Sequence, residues 1–156
     1  ETEAVNNQKT TLWSAALDNT EVKKYPDREL NHYIEFNSDQ LDQTAKQYGV
    51  SREDMLKQYD LDDEDEFNAV NEDSSKLRVK QEMLIQYIAD KENLSYTDKE
   101  KEALIKSFEA QGYDADAIEQ QTGRTLEDYV HIELLYEKVL DFLLDNANIT
   151  GAPTTE

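Results

Sequence analysis

Apolar residues crowd almost every side of one stretch, Thr125 to Asn148. It carries Leu126, Tyr129, Val130, Ile132, Leu134, Leu135, Tyr136, Val139, Leu140, Phe142, Leu143 and Leu144, with Ile149 just beyond. A surface helix shows one apolar stripe, so a helix apolar nearly all round needs other elements to cover it. Upstream the pattern predicts more helices at a period of 3.6. Residues 1–18 present Val5, Leu12, Trp13, Ala16 and Leu17 on one side and begin without a cap, as if continuing from upstream. After an extended link, Val22 to Tyr25, Pro26 suits a first helical turn with Asp27 and Glu29 beside it. That helix carries Leu30, Tyr33, Ile34, Leu41, Ala45 and Tyr48, and Gly49 ends it.

Ser51 is placed to cap a short helix with Met55, Leu56 and Tyr59. Asp62 is the expected cap of a long helix with an acidic opening turn and a buried stripe of Phe67, Val70, Leu77, Leu84, Ile85 and Ile88. Leu94 to Tyr96 is a link. Thr97 and Glu100 have capping-box spacing ahead of Leu104, Ile105 and Phe108, and Gly112 closes that helix. Asp114 opens a short helix around Ile118, closed by Gly123, and Thr125 caps the final one. Residues 151–156 read as a flexible tail.

Composition agrees: with four Gly and two Pro in 156 residues, few breakers interrupt these helices. Charge narrows the function. Thirty-six acids oppose sixteen bases, for a formal net charge of -20. Binding a phosphate backbone relies on Lys and Arg, so direct nucleic-acid binding is not expected. No cysteine is present, which removes disulfides, thiolate metal sites and a cysteine nucleophile. No signal peptide is visible, and no apolar run reaches the roughly 20 residues needed to span a bilayer. A cytoplasmic protein with no membrane contact is expected, with a secreted or surface-anchored relative as the alternative.

Several constellations fail on inspection. The run Asp60-Leu61-Asp62-Asp63-Glu64 hints at a calcium loop, but the required sixth-position glycine and twelfth-position glutamate are Asp65 and Asn71. Glu29 and His32 have Glu-x-x-His spacing, with Asp128 and His131 a weaker copy, short of the four-helix set a di-iron site needs. Serine elbows, phosphate loops and Rossmann glycines are missing. No metal, cofactor or catalytic residue is expected. Nine tyrosines, several at helix ends, are contenders for a binding surface as well as for half-buried core edges.

The runs Arg78-Val79-Lys80-Gln81-Glu82-Met83-Leu84-Ile85 and Ile88-Ala89-Asp90-Lys91-Glu92-Asn93-Leu94 resemble the C-terminal domain of bacterial trigger factor. So does Glu137-Lys138-Val139-Leu140-Asp141-Phe142-Leu143-Leu144-Asp145-Asn146-Ala147-Asn148-Ile149-Thr150, while Glu3-Ala4-Val5-Asn6-Asn7 with Leu12-Trp13 resembles the helix leaving that family's isomerase domain. Helical domains of periplasmic peptide chaperones share a similar layout.

The resemblance implies an all-α, elongated, multi-helix domain over residues 1–150. A central apolar C-terminal helix would carry a first arm at about 26–59 and a second at about 97–123. It implies ATP-independent holding of unfolded or nascent polypeptides between the arms. Ribosome docking and peptidyl-prolyl isomerisation would require domains outside this sequence, and a weak homodimer is left open. Apolar side chains within reach of solvent would do the holding. The candidates are Leu41, Tyr48, Phe108, Tyr113, Ile118, Leu126 and Tyr129, the last two as a cleft floor. The rival reading is a structural spacer with no client surface.

Overall fold

The computed structural model describes residues 2–147, and within them the chain is helical throughout: seven α-helices joined by short links. Glu1, Asn148, Ile149 and the expected tail lie outside the described residues. Two compact units form, one combining Glu1–Glu21 with Leu84–Glu156, the other Val22–Met83.

The first unit is built on α7 (Leu126–Asp145), against which α1 (Thr2–Asp18), α5 (Asp98–Ala110) and α6 (Ala115–Thr122) pack. The end of α4 (Glu64–Glu92) completes its core, where Trp13, Leu84, Ile85, Ala89, Leu135 and Val139 cluster. Trp13 meets Tyr136 edge-on at 5.0 Å, and Lys9 pairs with Asp141 beside it. The expected covering of α7 is partial. Val130, Leu134, Leu135 and Val139 are buried, while Ile132, Tyr136, Leu140 and Leu143 are half-buried against the cluster.

Local chemistry sets the helix ends. The Thr97 hydroxyl accepts the Glu100 N–H while the Glu100 carboxylate accepts the Thr97 N–H at 2.7 Å. Asp114 and Thr125 cap α6 and α7 by accepting from Ala117 and Asp128 N–H groups. Gly123 closes α6 at φ 70°, a backbone conformation open to glycine at little cost.

The second unit contains α2 (Asp27–Tyr48), α3 (Arg52–Gln58) and the first two-thirds of α4. Its core joins Leu41, Ala45, Met55, Leu56 and Phe67. Ser51 caps α3 as expected. Pro26 sits one position earlier than expected, at the N-cap of α2, where its missing N–H costs nothing. Asp63 rather than Asp62 caps α4: its carboxylate accepts the Glu66 N–H at 3.0 Å, while Glu66 reaches back to the Asp62 N–H at 2.7 Å.

The larger correction concerns the face α4 buries. Val70 and Leu77, expected inside, are 52% and 50% exposed, whereas Asn71 and Ser75 are 3% and 1% exposed. Phe67, Leu84 and Ile85 are buried as expected, so the departure is confined to the middle of the stripe, where hydrogen bonds account for the buried polar pair. Asn37 on α2 donates to Asn71 Oδ1 at 2.8 Å and to Ser75 Oγ at 3.2 Å, and Asn71 donates to the Ile34 carbonyl at 2.9 Å. Buried polar groups are tolerated when paired in this way. One turn further on, the Tyr33 hydroxyl donates to Glu82 at 2.8 Å, and the Arg78 guanidinium lies 4.1 Å above the Tyr33 ring.

Candidate functional site

Matching helix faces create an open groove in the second unit. On α2, Asn37, Gln40, Leu41 and Thr44 line it; on α4, Phe67, Val70, Asn71 and Ser74 do. Both sets follow i, i+3, i+4, i+7 spacing, which puts each on one side of its helix. Tyr59 and Leu61 close one end, and the space holds about 450 Å³. They are brought there by Asp60, whose φ of 58° lets the Leu61 N–H reach back to the Leu56 carbonyl at 3.0 Å. Asp is among the few residues that adopt this left-handed conformation routinely.

The groove has an apolar floor and polar sides. Leu41 and Phe67 form the floor and belong to the core; Val70 and Tyr59, the latter 57% exposed, stand at the lip. The stretch 60–73, which supplies much of the groove's α4 side, holds eight acids and no base. Exposed large apolar side chains beside buried polar ones are the informative departure from ordinary burial, and they make the groove a candidate site.

The seven residues singled out from sequence divide between the units. Leu41 and Ile118 are core side chains at 6% and 4% exposure, so neither offers surface of its own; Leu41 contributes only through the groove floor. Tyr48 is exposed in the last turn of α2. In the first unit, Phe108 and Tyr129 meet with ring centroids 5.7 Å apart, both half-buried, and Tyr113 is exposed where its N–H returns to the Phe108 carbonyl. Leu126 is half-buried at the start of α7. Sequence reasoning did not mark Tyr59, Leu61, Phe67 or Val70 as site residues. The available signal was Leu41, whose α2 face continues into Thr44.

The titratable groups with strong environments lie outside the groove. The ion pair with Lys138, then the N–H and hydroxyl of Thr97, hold the Glu100 carboxyl down at about 2. Burial, and then Glu137, push Glu133 up. His131, one of the two histidines tested for metal spacing, sits in a hydrogen-bonded chain, 2.8 Å from the Tyr96 hydroxyl and 3.3 Å from Gln86. No group of three metal-ligating side chains converges among the described residues, and none of their helices is long and apolar enough to cross a membrane.

A family model described as the bacterial trigger factor protein (TF) C-terminus matches residues 1–145. A trigger factor of Staphylococcus saprophyticus is 29% identical over 153 residues, covering 96% of this chain and 34% of that protein. One of Bacillus pumilus is 29% identical over 150 residues, covering 94% and 34%. One of Bacillus cereus is 26% identical over 146 residues, covering 93% and 33%. The chain therefore spans about a third of the length of the curated relatives it matches. No solved structure matches it at a significant level.

Proposed function

The chain belongs to the family of bacterial trigger factor C-termini, and from that premise we propose that it is a chaperone module holding non-native polypeptide segments without ATP. The observation that carries this reading is the middle of α4, where two expected core residues face water. The paired amide of Asn71 and hydroxyl of Ser75 take the buried positions and leave Val70 and Leu77 to water, beside a groove with an apolar floor. An apolar surface on a chain of net charge -20 stays soluble through charge repulsion while still accepting apolar segments.

Residues 26–59 act as the first arm and 97–123 as the second. In this reading clients are held in the groove between the first arm and α4, and by Phe108, Tyr113, Leu126 and Tyr129 near the second arm. Clients are unfolded or nascent chains in the cytoplasm. Contacts through tyrosine and aliphatic side chains suit weak, sequence-tolerant holding. Ribosome docking and prolyl isomerisation are not assigned to these residues.

The test is suppression of aggregation of a chemically denatured enzyme diluted into buffer with the full chain. The pairs Tyr59→Ser with Val70→Ser, and Phe108→Ser with Tyr113→Ser, are each expected to weaken suppression while helicity is kept. Undiminished suppression by both pairs would sink the site assignments. No suppression by the parent chain would favour a spacer.

A further inference from the structure

We infer that Arg52 sets the width of the Phe67 end of the groove in the second unit and is thereby a positioning residue for the segment held there. This deepens the proposed function and rests on it. Arg52 is the first residue of α3, and its guanidinium spans three elements. On α2 it donates to the Ser38 carbonyl at 3.2 Å and to Asp42 at 2.8 Å. On the first turn of α4 it grips Glu64 with a fork, Nε to Oε1 at 2.7 Å and Nη2 to Oε2 at 3.2 Å. The guanidinium also lies 5.0 Å from the centroid of Phe67, which forms the groove floor.

Each contact touches a part that bounds the groove. Ser38 and Asp42 flank the lining residues Gln40 and Leu41, and Glu64 lies one turn before Phe67. The Asn37, Asn71 and Ser75 network fixes α4 to α2 at the far end of the groove, leaving the Phe67 end to other contacts. The opening turns of α4 carry Asp63, Glu64, Asp65 and Glu66, which repel one another. Arg52 is the cation that ties this end of α4 to α2 and α3.

Leverage here exceeds energy. The side chains of Arg52, Asp42 and Glu64 are 26%, 45% and 51% exposed, and ion pairs so wetted contribute little to stability. The Met55, Leu56 and Ala45 core remains without them. Removing the fork therefore changes how the opening turns of α4 are set against α2 more than it changes whether the unit folds. Lysine, a point charge on a flexible stem, cannot reproduce a planar fork shared by two carboxylates and a carbonyl.

The experiment measures Kd by fluorescence anisotropy for labelled, permanently unfolded, carbamidomethylated ribonuclease A. The full chain is compared with Arg52→Lys, Arg52→Gln, Glu64→Gln, Val70→Ser and the Arg52→Gln/Val70→Ser double variant. Amide hydrogen exchange is followed in parallel. Both Arg52 variants are expected to weaken binding by about five- to tenfold, with Lys failing to rescue, as loss of a charge-assisted fork implies. Glu64→Gln is expected to shift Kd the same way. Exchange should quicken at residues 66–70 and stay unchanged at residues 33–37, and Val70→Ser should lose less affinity in the Arg52→Gln background than alone. Parental affinity in Arg52→Lys, or strict additivity in the double variant, overturns this inference alone when Val70→Ser still weakens binding. Parental affinity in Val70→Ser overturns the groove reading and this inference together.

Discussion

Val70 and Asn71 are adjacent on α4, and replacing them separates hydropathy from structure as the guide to what holds the second unit together. Asn71→Ala removes three hydrogen bonds: to the Ile34 carbonyl, from Asn37, and from Ser75 at 3.3 Å. At a net of about 0.5–1.5 kcal/mol each, the loss is about 1.5–4.5 kcal/mol. Alanine's better helix propensity returns about 0.5 kcal/mol, so the expected cost is about 1–4 kcal/mol, centred near 2.5. Val70→Ser acts on a side chain that is 52% exposed. About half of the roughly 1.5–3 kcal/mol of full burial is at stake, and Ser and Val have similar helix propensities, so the expected cost is about 1 kcal/mol. The assay is native-state amide exchange in α2 and α4, converted to opening free energies for each variant. A reading by hydrophobicity alone predicts the reverse order. If Val70→Ser destabilises the unit as much as Asn71→Ala, the claim that paired amides fasten α2 to α4 is wrong.

Two further predictions concern pH in the first unit. The Glu100 carboxyl is depressed to about 2 by Lys138 and the Thr97 groups, so its stabilising contribution is full above the ordinary carboxylate value near 4.5. It is lost as pH falls from there through about 2. In acid titrations of thermal stability, Glu100→Gln should therefore be less stable than the parent above about pH 4.5 and converge with it towards pH 2. Glu133 has the opposite sign: burial and Glu137 raise its value, so ionising it at neutral pH works against folding. Glu133→Gln is expected to raise Tm at pH 7 and to lose that advantage in acid; an unchanged Tm across the range refutes it.

How much of this was legible in the sequence depended on the distance over which the deciding interaction acts. The caps at Ser51, Thr97, Asp114 and Thr125 were readable because each is made with an N–H three residues on. The start of α4 slipped by one residue because Asp62 and Asp63 offer the same carboxylate and only local geometry chooses between them. Phe67, Leu84 and Ile85 were placed inside correctly, but Val70 and Leu77 were not, because the middle of α4 depends on Asn37, 34 residues away from Asn71. No periodicity of apolar residues reports such a pairing. The groove was half legible for the same reason. Leu41 was marked, but Tyr59 and Val70 become a lip only once α2 and α4 have aligned their faces. Family membership was readable from ordered runs along most of the chain, which do not depend on knowing which side of a helix is wet.

The amide network also separates what a lineage must keep from what it is free to change. Asn37, Asn71 and Ser75 lock α2 and α4 in one register, since a slip of one turn would bury amides without partners. The side chains that face solvent beside them carry little of that lock. Val70 and Leu77 can be exchanged for other apolar residues while the helix pair stays in place. Under the proposed function, adaptation of the holding surface is thus uncoupled from adaptation of the scaffold.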